Sequence, residues 1–199
     1  MTRVKLCGLM SEADVRTVLE LRPDYAGFIL SGGFRRSIDF DTFNALSTML
    51  GASGIERVGV FVNEPLDSVV GVYSEWLDLI QLHGSESERY ISALRNHTDK
   101  PIIKAFTVRT EADIEAARAS SADYVLLDSG TGTGSKFDHS LIADIGRQYF
   151  LAGGLTPENV GEAIARFEPF AVDASSSLET NGIKDKAKMT AFVKAVRNG

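Results

Sequence analysis

The chain has 199 residues, 44% of them hydrophobic and 24% charged, with a formal net charge of −6, which suits a globular protein large enough to bury a real core. The lysines and arginines are scattered under a net negative charge, which argues against a nucleic-acid partner because such a partner needs a concentrated basic surface. One cysteine makes no internal disulfide, no Cys/His spacing suggests a metal, and no apolar stretch reaches the about 20 residues of a membrane span, so a cytoplasmic protein with no membrane partner is expected.

Eight short runs rich in Val, Ile, Phe and Leu follow in order: VKLC (4–7), YAGFIL (25–30), RVGVFV (57–62), DLIQLH (78–83), PIIKAF (101–106), DYVLLD (123–128), YFLAG (149–153) and FAVDA (170–174). Most are nearly continuous rather than alternating, as parallel strands covered on both faces are. Between them lie helical patterns: SEADVRTVLELR from 11, EPLDSVVGVYSEW from 64, TEADIEAARASS from 110 and TPENVGEAIARF from 156. Ser11 with Asp14, and Thr156 with Pro157 and Asn159, read as helix starts. Strict βα alternation at about 25 residues per unit predicts an α/β fold, a single (β/α)8 TIM barrel occupying residues 1–199, with an open doubly wound sheet as the competitor. No G-x-G-x-x-G follows a strand, and GTGTG at 130–134 comes after the sixth, which weakens any dinucleotide reading.

A barrel this short builds its site from the loops at the C-terminal ends of its strands. Cys7 ends the first strand beside Gly8, which permits close approach of a backbone or ligand. The same edge receives Arg35 and Arg36, His83, Asp128, Gly153 and Gly154, then Asp173 with Ser175 and Ser176. Each also has a plainer reading: a buried thiol, a solvated arginine pair, a capping histidine, a turn aspartate, a glycine turn. The loops after strands seven and eight are, however, the recurrent phosphate site of this architecture. Backbone N–H groups there bind an anion locally, as the acidic net charge would require.

KLCGL (5–9), VGVFVN (58–63), QLHG (81–84), LLDSGTGTGSKFD (126–138), LAGGLTPENV (151–160) and VDASSSLETNGIKD (172–185) together resemble the phosphoribosylanthranilate isomerase family of tryptophan biosynthesis. The resemblance runs from the first strand to the last helix. It implies an Amadori rearrangement, without cofactor or metal, of N-(5-phosphoribosyl)anthranilate to 1-(2-carboxyphenylamino)-1-deoxyribulose 5-phosphate. Cys7 matches the general base, Asp128 the general acid and Arg36 the anthranilate-carboxylate anchor, while His83 and Asp173 match substrate-contacting positions. Gly153, Gly154, Ser175 and Ser176 fall in the phosphate loops.

The residue types suit that chemistry. A carboxylic acid near its pKa can protonate the furanose oxygen, and a thiolate can then remove the sugar C2 hydrogen. A thiol of pKa near 8.5 would need a downward shift of about 1.5 units, about 2 kcal/mol, to be half ionised near neutrality. Met10, Ser177, His139 and the proline-free loop SGGFRR (31–36) depart from the family pattern. Of these, Ser177 bears on phosphate geometry if its position requires positive φ. The expected partner is the small phosphoribosyl substrate, with a monomer favoured. Another phosphosugar isomerase, a bifunctional enzyme of histidine and tryptophan synthesis, or a non-catalytic phosphosugar-binding barrel are the alternatives.

Overall fold

The computed structural model of the chain describes residues 1–128 and 145–198. Eight parallel strands close into a barrel in sequence order: β1 (Arg3–Cys7), β2 (Tyr25–Ile29), β3 (Glu56–Phe61), β4 (Leu79–Leu82), β5 (Ile102–Thr107), β6 (Tyr124–Asp128), β7 (Tyr149–Ala152) and β8 (Ala171–Ala174). Each strand begins and ends within a residue of its apolar run. The barrel closes where β8 pairs with β1, placing Lys5 opposite Asp173. An open doubly wound sheet is thereby ruled out.

Side chains alternate inward and outward along each strand. Outward residues such as Leu6, Phe28, Ile80, Leu82 and Val125 pack beneath the helices with Val15, Phe43, Ile91 and Phe192. Inward residues, including Tyr25, Val58, Leu79, Ile103, Leu126 and Phe150, fill the barrel interior. Both strand faces are therefore apolar, which is why the runs are continuous.

The helices include α1 (Glu12–Leu21), α2 (Phe40–Leu50), α3 (Leu66–Ser68), α4 (Glu88–Arg95), α5 (Glu111–Ala119), α6 (Val160–Phe167) and α7 (Lys186–Asn198). Ser11 starts α1 as expected: its Oγ accepts from the Asp14 N–H at 3.2 Å, and the Asp14 carboxylate accepts from the Ser11 N–H at 3.1 Å. This reciprocal pair satisfies two otherwise orphaned donors. Thr110 and Asp113 cap α5 in the same way.

Two helical expectations are corrected. After β3 only Leu66–Ser68 is α-helical, followed by a π turn over Val69–Tyr73 and a 3₁₀ turn over Ser74–Trp76. Pro65 offers no capping side chain, and the valines flanking Gly71 have weak helical preference. Thr156 does not cap α6 directly. Asn159 occupies that place, its Oδ1 accepting from the Thr156 N–H at 2.8 Å so that a turn precedes the helix.

A short hairpin, β9 (Glu179–Thr180) with β10 (Ile183–Lys184), follows β8 around Asn181 and Gly182, both at positive φ. No helix among the described residues is long and apolar enough to cross a membrane. The GTGTG segment and His139 lie outside the described residues.

Candidate active site

The inward positions change character near the C-terminal ends of the strands. Below them the interior is aliphatic and aromatic; above stand Lys5 and Cys7 on β1, Gln81 on β4 and Asp173 on β8. The loops add Arg36, His83, Gly153, Gly154, Ser175 and Ser176, and all the proposed site residues, with Gln81 and Ser177, line one cavity of about 280 Å³. That is near the lower end of the range for small-molecule sites.

Cys7 is buried, and the strands leave room for it through Gly27. A Cβ at Gly27 would lie 2.8 Å from the Cys7 sulfur and 3.1 Å from its Cα. Beneath Cys7, the fully buried Lys5 donates from Nζ to Asp173 Oδ2 at 2.9 Å. Burial pulls the Lys5 pKa down, but Asp173 and Cys7 outweigh it and hold the ammonium above its ordinary value. Burial pushes the Cys7 thiol up more strongly than Lys5 and Lys184 draw it down. The depression expected of the thiol is thus opposed by its burial. Lys5 draws the thiol down, but Asp173, which holds the same ammonium, pushes it up with its own charge.

Across the cavity, Asp128 ends β6 and His83 directly follows β4, with His83 Nε2 3.9 Å from Asp128 Oδ2. Gln81 Nε2 lies 2.8 Å from His83 Nδ1, so the amide donates to Nδ1 and leaves the ring proton on Nε2, facing Asp128. Partial burial lowers the His83 pKa in spite of Asp128, which makes the ring a neutral donor at neutral pH. Two buried acceptors of this upper layer, Gln81 Oε1 and Asp173 Oδ1, have no partner among the described residues. Hydroxyl groups are the chemistry that would satisfy them.

The two arginines separate. Arg36 lines the cavity, whereas Arg35 is half exposed and donates to the Gly182 carbonyl. Gly8 has φ 74, and a Cβ there would sit 2.6 Å from Arg36 Cδ. The close approach expected at Gly8 is thus made by the arginine stem.

Arg36 Nε and Nη2 bind Glu179, which also accepts from Arg35 and, at 3.0 Å, from Lys184. Although burial alone would raise it, hydrogen bonds from Arg36, Arg35 and Lys184 lower the Glu179 pKa to about 2. One guanidinium edge of Arg36 is therefore fixed, leaving the Nη1 side for a ligand. Three cations around one carboxylate leave a local surplus of positive charge beside Arg36 despite the acidic chain.

Gly153 and Gly154 leave β7 at φ 90 and 64. On the neighbouring loop, Ser175 Oγ donates to the Cys7 carbonyl at 3.0 Å, and Ser176–Leu178 forms a 3₁₀ turn. The first N–H groups of such a turn have no partner within it. Ser177 sits inside the turn and is absent from the residues at positive φ, so serine needs no strained backbone there.

Gln81, Lys5, Glu179 and Lys184 were not singled out in the sequence. For Lys5 and Gln81 the signal was a polar residue interrupting an apolar strand, and for Glu179 and Lys184 a place flanking an Asn-Gly hairpin turn. Among the described residues no group of three or more His, Cys, Asp or Glu side chains is placed to hold a metal ion.

Polar groups gathered at the C-terminal mouth of a closed eight-stranded barrel place the chain among the (β/α)8-barrel enzymes. A family model described as N-(5'phosphoribosyl)anthranilate (PRA) isomerase matches residues 4–195. The N-(5'-phosphoribosyl)anthranilate isomerase of Endomicrobium trichonymphae is 41% identical over the whole of both chains, and that of Caldanaerobacter subterraneus subsp. tengcongensis 38% over 99% of this chain and 98% of its own.

Among solved structures, phosphoribosyl anthranilate isomerase from Thermotoga maritima matches with a TM-score of 0.89 at 36% identity, covering all of both chains. A phosphoribosyl anthranilate isomerase in complex with reduced 1-(o-carboxyphenylamino)-1-deoxyribulose 5-phosphate matches at 0.87 and 35%, again over all of both chains. The chain belongs to the N-(5'-phosphoribosyl)anthranilate isomerase family. It is an isomerase of tryptophan biosynthesis, converting N-(5-phosphoribosyl)anthranilate to 1-(2-carboxyphenylamino)-1-deoxyribulose 5-phosphate.

Proposed function

We propose that this chain carries out the isomerisation with Asp128 as general acid and Cys7 as general base, acting from opposite sides of the one cavity. The observation that carries this reading is the shared cavity itself: a thiol from β1 and a carboxylate from β6, with an arginine and an anion-binding loop pair in the same wall. In the proposed binding mode the free side of the Arg36 guanidinium takes the anthranilate carboxylate. The substrate phosphate lies against the N–H groups of Gly154, Ser175 and Ser176, supported by the glycine at 153. His83 and Asp173 contact the sugar.

Asp128 donates its proton to the furanose oxygen as the C1–O bond breaks and the nitrogen lone pair forms the C1=N iminium. That iminium acidifies the C2 hydrogen, which the Cys7 thiolate removes to give an enolamine. The closing tautomerisation adds a proton at C1 and takes one from the C2 hydroxyl, so protons balance and the product is the ketone. General acid and base groups each contribute typically about 10²- to 10⁴-fold.

A monomer is proposed as the active form. A cytoplasmic location agrees with the single unpaired cysteine, and the whole of residues 1–199 is read as one catalytic barrel domain. The test is fluorescence of freshly made N-(5-phosphoribosyl)anthranilate on addition of purified protein. Decay that scales with protein concentration supports the reading, and binding of a product analogue without any decay would replace it with a phosphosugar-binding role.

A further inference from the structure

Lys5 is the least expected charge in the molecule. It is fully buried, has no exposed side-chain atom, and stands directly below the thiol on the same face of β1. Two strand positions along, Cys7 points the same way; one strand across, Asp173 is in register. The Lys5 ammonium bonds Asp173 Oδ2 at 2.9 Å, and its positive charge favours the Cys7 thiolate. Asp173, which lines the cavity, keeps its other oxygen, Oδ1, buried and without a partner among the described residues.

A buried ion pair is a poor device for stability alone, because an apolar residue of similar size usually serves as well. The aliphatic and aromatic layer below shows that this barrel can fill its interior in that way. What an apolar residue cannot supply is positive charge beside a sulfur that must ionise. Among the described residues, the other charged and titratable groups around Cys7 are Lys184 on β10 and, across the cavity mouth, Arg36, His83 and Asp128. β2 contributes only Gly27 beside the sulfur. Lys5 is the cation that lies within the barrel wall below the thiol, out of reach of solvent screening.

We propose that Lys5 is a positioning residue for the base: its buried ammonium, held by Asp173 on the Cys7 face of β1, is what makes the Cys7 thiolate reachable inside the site. This rests on the reading of Cys7 as the base. Asp173 acts in the opposite sense. It holds the ammonium in place while its own charge disfavours the thiolate, and a ligand hydroxyl donating to Oδ1 would weaken that opposition and release Lys5 toward the sulfur.

Because the chain has one cysteine, its thiolate can be followed by ultraviolet absorbance during a pH titration, with Cys7→Ser as the blank. Lys5→Met should raise the thiol midpoint by a pH unit or more, leaving about tenfold less thiolate at a given pH. Asp173→Asn should lower it. The base-controlled limb of the kcat/KM profile should move with the thiol in Lys5→Met, a displacement that a merely structural lysine would not cause.

Should Lys5→Met fail to fold around an unpaired Asp173, the double variant Lys5→Met/Asp173→Asn carries neither charge and is compared with Asp173→Asn, again with a midpoint at least a unit higher. Unchanged midpoints in either comparison would overturn the proposal. If Cys7→Ser retains normal turnover, the base reading fails instead, and the thiol titration tells the two failures apart.

Discussion

Replacing Glu179 with glutamine weighs the support behind Arg36. The Glu179 carboxylate is nearly sealed from water, is held by Arg36, Arg35 and Lys184, and titrates at about 2, against about 4.3 in an unfolded chain. A folded-state pKa below the unfolded one means that ionised Glu179 stabilises the fold above about pH 4.3. That contribution is lost as pH falls through the folded value. A difference of about 2.3 units is worth about 3 kcal/mol at neutral pH, of which linkage leaves about 1.4 kcal/mol at pH 3.

Urea unfolding of wild type and Glu179→Gln at pH 7 and pH 3 reads this directly. The stability gap between the two proteins should narrow by about 1.7 kcal/mol at the lower pH. Costs that do not depend on pH, such as a less apt amide or unbalanced cations, cancel in the comparison. KM for substrate should rise in the same variant as Arg36 loses its anchor. A gap that stays constant between the two pH values would refute the argument.

Arg36→Ala should raise KM far more than Arg35→Ala, since only Arg36 lines the cavity; equal losses in steady-state kinetics would remove the carboxylate-anchor assignment. Gly154→Val should raise KM and weaken inorganic phosphate binding in a folded barrel, because φ 64 is strained for valine, and an unchanged KM would place the phosphate elsewhere. Gly27→Ala puts a methyl 2.8 Å from the Cys7 sulfur, so kcat should fall with substrate affinity largely kept. A normal kcat in that variant would show that the thiol position is not critical.

The barrel was legible because its strands are buried on both faces, and a continuous apolar run is the direct signature of that burial. The local cap at Ser11 was equally readable, its donor and acceptor lying three residues apart, and Thr110 repeats that pattern with Asp113. The helix after β3 was misread because a periodic pattern says nothing of the weak propensity of valines flanking Gly71, and Thr156 because a turn preceded α6. The Asn181-Gly182 hairpin was present in the sequence as a short-range signal but its strands are only two residues each.

The residues at the strand ends could be placed from the architecture, whereas those behind them could not. Glu179 meets Arg36 across a separation of 143 residues, and Lys5 meets Asp173 across 168; only barrel closure brings either pair together. The inward polar residues Lys5, Gln81 and Asp173 share one sequence signal that becomes informative only with register: each interrupts an apolar strand near its catalytic end.

The central claim is that Cys7 and Asp128 are the base and acid of this isomerisation, and turnover of Cys7→Ser and Asp128→Asn in the anthranilate-fluorescence assay tests it most directly. Each substitution keeps the side-chain shape while removing the ionisable group, so kcat should fall by about 10² to 10⁴ with product-analogue affinity and thermal midpoint close to wild type. Near-wild-type turnover in either variant would contradict the role assigned to that residue.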